Sequence, residues 1–413
     1  MQQWKKKTLI FLISQGITLF GSSVVQFAIV WDVTLKTSSG AWVSAFTICS
    51  FLPQFLISFF SGVWADRYSR KFLIILSDTV IAATTLTLVL LMPFIGNGTS
   101  LYTALLIASV IRSLGAGIQT PAVNSMIPQL VPDEHLMRLN GINATLQSVV
   151  QFAAPAAAGA ILTFSTLRST LFIDITTAII GVVLLACIAI PKQVANEKTE
   201  APSVFAEMKQ GMKYTFANRF IGKLLITYGL FIFLAVPAGF LAALFVSRIY
   251  GDNYFYLTAT ELVGFAGMTA GGILISTWGG FSNRVKTLLV GMVVFGTLAI
   301  GMGAIRNFVV YLVLMAVYGI ALTMVQTAVT TLIQEKTDDH MQGRIFGFLS
   351  AMYSGCLPLG MAVFGPLSDV VSIRILMIVT GGVLVILAGV LRLDKSVYGK
   401  TKPLPALKRS HTK

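Results

Sequence analysis

Twelve apolar stretches, at about 8–35, 41–64, 72–95, 101–127, 139–164, 170–190, 219–248, 257–278, 288–305, 309–334, 344–367 and 374–393, dominate this chain. Each is near the roughly 20 residues that cross a bilayer's hydrocarbon core. Hydrocarbon leaves no partner for an open backbone, so such runs are satisfied as helices. Only 11% of the 413 residues are charged, against roughly 25% in a soluble domain, which leaves too few to coat a water-soluble globule of this size. The pattern predicts an all-α integral membrane protein with twelve transmembrane helices. The first stretch follows Lys5, Lys6 and Lys7, as a signal peptide would. It is longer than a signal peptide's apolar region and shows no small-x-small cleavage site, so it is expected to stay as a helix.

Basic residues set the orientation. With both termini in the cytoplasm, all but six of the 30 Lys and Arg residues fall on the cytoplasmic side. Lys36, Arg168, Arg248, Arg306 and Arg374 fall outside, and Arg112 lies within a stretch. The expected location is a cytoplasmic membrane crossed many times, with both ends inside. The net charge of +14 is then mostly a topology signal; the lipid bilayer is a partner and nucleic acid is not.

The sequence is doubled. After the fourth stretch comes a segment that opens Ala122-Val123 and closes Asp133-Glu134-His135; after the tenth, another opens Ala328-Val329 and closes Asp338-Asp339-His340. A second echo pairs the run from Gly62 to Lys71 with that from Gly272 to Lys286. Six helices repeated in parallel give two six-helix pseudo-repeats. The expected domains are a first bundle over 1–190, a cytoplasmic linker over 191–218, a second bundle over 219–393 and a basic cytoplasmic tail over 394–413. Within the linker, Phe205, Met208, Met212 and Phe216 share one helical face, which predicts an amphipathic helix on the inner leaflet.

Between the second and third stretches, Gly62, Asp66, Arg67, Arg70 and Lys71 form a dense charged turn. With twelve helices in two halves and a middle linker, this turn resembles the signature of the major facilitator superfamily. Ser69 stands where that signature has a glycine, and the second-half copy lacks the Asp. Further runs, from Arg112 to Ala122, from Ile127 to Gly141 and from Phe205 to Gly211, are similar to the macrolide-efflux branch of proton-driven drug exporters. Ala153 to Gly159 resembles a worn antiporter motif. The resemblance implies the major facilitator fold and a secondary active transporter. Such a protein exports amphipathic, macrolide-like small molecules in exchange for protons by alternating access. Tetracyclines, siderophores or lipids are alternative cargoes, and uncoupled lipid handling, sensing or uptake are alternative roles.

Candidate site residues follow from this frame. A carboxylate at mid-bilayer costs about 2.5 to 3.5 kcal/mol on insertion scales and asks for a partner, a proton or water. Asp32, Asp78, Asp174 and Glu261 are such residues. The resemblance places the first and fourth helices along the cavity, which makes Asp32 and Arg112, with Glu261, the proton-coupling candidates. Asp78 and Asp174 fall on helices that the family packs outside the cavity, where structural roles are expected. A gate is expected from Gly62, Asp66, Arg67, Arg70 and Lys71. Asp66 would accept from backbone N–H groups at the start of the eleventh helix near Arg344, and Arg70 would pair with Asp133 or Glu134. Buried amides need partners that lipid does not offer, so Gln26, Gln119 and Gln326, with Trp31 and Asn124, are the substrate-binding candidates.

Other chemistries find no support. Cys49, Cys187 and Cys356 are isolated in apolar stretches, and no His has a ligand-spaced companion, so neither a disulfide framework nor a metal site is expected. No phosphate-binding Gly-x-x-x-x-Gly-Lys-Ser/Thr loop is present. No cofactor and no catalytic constellation is expected, and a monomer is the expected state.

Overall fold

A computed structural model of the chain describes residues 3–96, 98–132, 135–188, 218–337, 339–394 and 398. The linker helix, the acidic pair Asp133 and Glu134, and nearly all of the basic tail lie outside the described residues. So do the side chains of Asp66, Arg67 and Arg344, whose backbones, like that of Gly62, are helical. The described residues are built from helices: α1 (Gln3–Thr37), α2 (Gly40–Arg67), α3 (Arg70–Leu91), α4 (Thr99–Leu130), α5 (Leu136–Phe164), α6 (Leu167–Ala186), α7 (Arg219–Ala235), α8 (Ala242–Tyr250), α9 (Tyr254–Trp278), α10 (Arg284–Ala304), α11 (Phe308–Lys336), α12 (Asp339–Val370) and α13 (Ile373–Leu393). They supply twelve spans long and apolar enough to cross a membrane.

The seventh span departs from a continuous rod. It runs from Arg219 to Tyr250, but residues 236–241 form turns between α7 and α8. Pro237 has no N–H to donate. The chain recovers with Gly239 N to Ala235 O at 3.0 Å and Phe240 N to Val236 O at 2.9 Å.

Helix starts carry side-chain caps. Ser39 accepts from Trp42 N, Ser69 from Phe72 N, Asn218 from Phe220 and Ile221 N, and Asn307 from Val309 and Val310 N. Each cap occupies backbone donors that the first helical turn leaves open.

Two compact units emerge. The first comprises Met1–Ala201, Leu241–Leu262 and Met361–Val370. In it α1 packs on α5 and α6, α4 packs on α2 and α3, and α3 packs on α6. Near the N-terminus of α1 its core gathers Phe11, Ile74, Met126, Ile127, Leu139 and Leu185. Small residues allow close crossings: a Cβ on Gly117 would lie 2.6 Å from Gln54 O. At that crossing Pro53 interrupts α2, and Ser113 of α4 repairs the ladder. Its hydroxyl accepts from Gln54 N at 2.9 Å and donates to Ser50 O at 2.7 Å.

The second unit comprises Pro202–Phe240, Val263–Gly360 and Val371–Lys413. There α10 packs on α11 and α13. Gly319 of α11 meets Gly264 and Gly267 of α9 so closely that a Cβ on Gly319 would sit 2.5 Å from Gly264 O. Phe295 joins Phe231 and Tyr318 at ring-centroid distances of 4.7 and 4.3 Å.

Candidate transport site

The first unit buries a charged network. Arg112 of α4 forms an ion pair with Asp174 of α6, whose side chain is 1% exposed. Thr85 of α3 accepts from Arg112 and donates to Asp174 Oδ2 at 2.7 Å. Ser22 of α1 donates to Asp174 Oδ1 at 3.1 Å. One guanidinium and one carboxylate therefore tie four helices, with the hydroxyls of Thr85 and Ser22 adding hydrogen bonds to the pair. Desolvating a charge pair is tolerated when its partners also hydrogen-bond to neighbouring side chains.

Two turns away on the same face of α3 lies Asp78, 3% exposed. Gln119 of α4 donates Nε2 to Asp78 Oδ1 at 2.6 Å. Asp78 Oδ2 is buried without a hydrogen-bond partner.

Gln119 also opens onto a recess of about 150 Å³ between α1, α4 and α5. Six carboxamides line it: Gln15, Gln119, Asn124, Asn143, Gln147 and Gln151. Asn143, Gln147 and Gln151 follow one another at intervals of four on α5, which stacks them on one face. Apolar neighbours such as Leu19, Val123 and Leu146 complete the wall. The wall thus offers apolar surface together with several hydrogen-bonding handles.

The remaining candidates are scattered. Asp32 of α1 is 3% exposed; Lys36 forms an ion pair with it at 2.9 Å and Tyr254 donates to it at 3.3 Å. Trp31 is 2% exposed and packs on Phe27. Gln26 is exposed, and so is Glu261 of α9, which makes no ion pair or hydrogen bond among the described residues. Gln326 lies half-buried on α11 of the second unit. Arg70 donates to Ala65 O at 3.2 Å and Ser125 O at 2.7 Å, and Lys71 to Ala186 O and Ile188 O, both at 2.8 Å. The expected pairings of Arg70 with Asp133 or Glu134, and of Asp66 near Arg344, lie outside the described residues.

Another cluster joins the start of α2 to the end of α12, within the first unit. Asp369 Oδ1 accepts from Gly40 N at 2.7 Å, and Oδ2 accepts from Ala41 N at 3.0 Å and Ser39 Oγ at 2.9 Å. Arg248 of α8 pairs with Asp369 at 2.6 Å and donates to Ser368 O and Ser38 O. A carboxylate at a helix N-terminus meets both open N–H groups and the positive end of the helix dipole. Gly40 and Gly365 permit this approach; a Cβ on Gly40 would collide with Ser368 Oγ and Gly365 O.

Comparison with known proteins fixes the family. The model of the Major Facilitator Superfamily matches residues 11–361. The chain belongs to the major facilitator superfamily. It is accordingly a multi-pass membrane transporter. Macrolide efflux protein A of Streptococcus pyogenes is 27% identical over 387 residues, covering 93% of this chain and 95% of the relative. Multidrug efflux pump Tap of Mycobacterium bovis is 23% identical over 363 residues, covering 84% and 83%. Among solved structures, a mutant of the nucleoside transporter NupG superposes with a TM-score of 0.73 at 15% identity, covering 93% of this chain and 98% of that one. That likeness speaks to the fold, in which both share the superfamily's helical architecture.

Sequence reasoning reached Arg112, Gln119 and Asn124. It did not pair Arg112 with Asp174, and it passed over Gln15 and the α5 amides. The spacing of Asn143, Gln147 and Gln151 was the available signal, since three amides on one face of a spanning helix require something other than lipid.

Proposed function

We propose that this transporter exports amphipathic, macrolide-like drugs across the cytoplasmic membrane in exchange for protons, by alternating access and with both termini in the cytoplasm. The observation that carries the reading is the match to Macrolide efflux protein A along nearly the full length of both chains. The amide-lined recess, at about 150 Å³, is smaller than a whole drug-sized ligand needs, and in this reading it takes one polar edge of the cargo. In this reading Gln119 and Asn124, with Gln26, Trp31 and Gln326, contact cargo. Asp32 and Glu261 exchange protons, and the fixed positive charge of Arg112 couples their release to conformation by its approach or retreat.

The halves 1–190 and 219–393 rock against each other in a monomer. The turn carrying Gly62, Asp66, Arg67, Arg70 and Lys71, together with Arg344, gates the cytoplasmic end. A carboxylate set at a helix N-terminus is a contact that forms or breaks as a unit when helices separate.

The test is efflux of labelled erythromycin and tetracycline from cells expressing the wild type or Asp32→Asn, with and without a protonophore. Erythromycin export that the protonophore abolishes supports proton exchange, and its loss in the variant assigns Asp32. Tetracycline export without erythromycin export replaces the cargo. Export of neither overturns the drug-exporter reading, and export indifferent to the protonophore overturns proton exchange.

A further inference from the structure

The Asp78–Gln119 pair joins a buried acid to the wall of the recess. Asp78 is as deeply buried as Asp174, yet it lacks the guanidinium and the hydroxyls that Asp174 has. Its contact is one carboxamide at 2.6 Å, and its second oxygen has no partner among the described residues. An isolated charge without a counter-ion is costly in hydrocarbon. The bond to Gln119 Nε2 requires Asp78 Oδ1 to accept, which an ionised carboxylate does with either oxygen and a carboxylic acid with its carbonyl oxygen.

The charges around Asp78 are already committed. Asp174, which acts on it from α6, is held by Arg112 of α4. On α3 itself, Arg70 and Lys71 donate to backbone carbonyls. The side chains of Asp66 and Arg67 at the end of α2 lie outside the described residues.

We propose that Asp78 is a proton site coupled to cargo through the orientation of the Gln119 carboxamide. The inference rests on the exporter reading above for its cargo. With Asp78 ionised, Nε2 is held by the carboxylate and Oε1 is left to the recess, where it accepts from a hydroxyl or ammonium group of the cargo. A proton delivered from a hydronium in the recess, past the side chain of Gln119 as it moves, adds to the Asp78 carboxylate. The carboxyl O–H then donates to Oε1, the amide turns over, and the recess meets N–H donors instead. A cargo that donates to Oε1 therefore binds the ionised form and expels one proton, and a proton expels that cargo. By linkage the two effects are equal in size. The acid never touches the cargo; it acts by turning an amide that does.

Infrared difference spectra of the full chain in lipid nanodiscs, recorded as pH is stepped, test the switch without any cargo. A protonated-carboxyl band that titrates, disappears in Asp78→Asn and moves in Gln119→Ala is the expected result. Identical difference spectra for wild type and Asp78→Asn would overturn the proposal, as would a band that Gln119→Ala leaves in place. Gln119→Ala keeps the acid, so the test survives if Asp78→Asn fails to fold.

Erythromycin then serves as the probe of coupling. Below the pH at which the band titrates, its affinity for the wild type should fall about tenfold per pH unit, the slope for one exchanged proton. Asp78→Asn should show a flat profile. Binding to the wild type with no pH dependence would overturn the coupling. A wild type that does not bind erythromycin would overturn the macrolide reading alone, and the infrared bands would still decide for or against Asp78.

Discussion

Asp369 caps the helix that begins at Gly40, its Oδ1 lying 2.7 Å from a backbone nitrogen 329 residues earlier in the chain. The expected gate put a carboxylate from the end of the second span at the start of the eleventh. The described residues hold the reciprocal pair, an acid at the end of the eleventh span and the start of the second. In a duplicated fold the same physical contact is available at either end of the same two helices.

Asp369→Asn keeps the shape of this cap and removes its charge. A capping group and its dipole interaction are together worth about 1–2 kcal/mol, so the variant should unfold at lower temperature by a corresponding margin. Gly40→Ala should cost more, because the added Cβ forces α2 away from α12. Thermal unfolding of the two purified variants in detergent gives the order, and a neutral Gly40→Ala would refute the close-approach argument.

The Arg112–Asp174 pair makes a second prediction. Removing one partner strands a buried charge, at a cost of about 3–5 kcal/mol. Arg112→Met and Asp174→Leu should therefore each express poorly, while the double variant regains much of the folded yield. Arg112→Lys should not rescue, since one ammonium cannot reproduce the fork that meets Asp174, Thr85 and Ser22 O. Additive losses in the double-mutant cycle would count against a coupled pair.

Ser113 stabilises α2 by bridging the ladder beside Pro53. Its replacement by Ala leaves Gln54 N without its partner, and the expected loss is about 1–3 kcal/mol. Pro53→Ala in the same background lets α2 straighten and should recover part of it. If Ser113→Ala unfolds like the wild type, the bridging hydroxyl is dispensable.

The α5 amides should separate binding from folding. Asn143, Gln147 and Gln151 make no side-chain hydrogen bond among the described residues, so leucine at each position should leave unfolding nearly unchanged. For exported erythromycin each should raise KM about 2- to 10-fold, the worth of one hydrogen bond, with maximal rate preserved. Transport assays in vesicles would show this split, and unaltered KM in all three would remove the recess from the substrate path.

Much of this was legible in the residues. The twelve spans were readable because hydrocarbon thickness imposes a length, and Arg112 stood out because a cation inside a span is rare. Its partner was not, because nothing in one sequence says which acid faces which base across two helices. A structural role is the expectation for Asp174 from the position of its helix; which base it meets depends on the orientation of its face. Asp369 ends a span like many other polar residues, and its value comes from a helix start far away in sequence. The break at 236–241 was visible only as one proline in a long apolar run.

That break has a consequence for how the protein is made. α8 has nine residues and a length of about 14 Å, under half the hydrocarbon thickness of about 30 Å. Neither it nor the turn before it forms a crossing alone, so α8 crosses the membrane only as the continuation of α7. The full 32 residues from Arg219 to Tyr250 therefore enter as one unit, although a proline and a six-residue turn divide them.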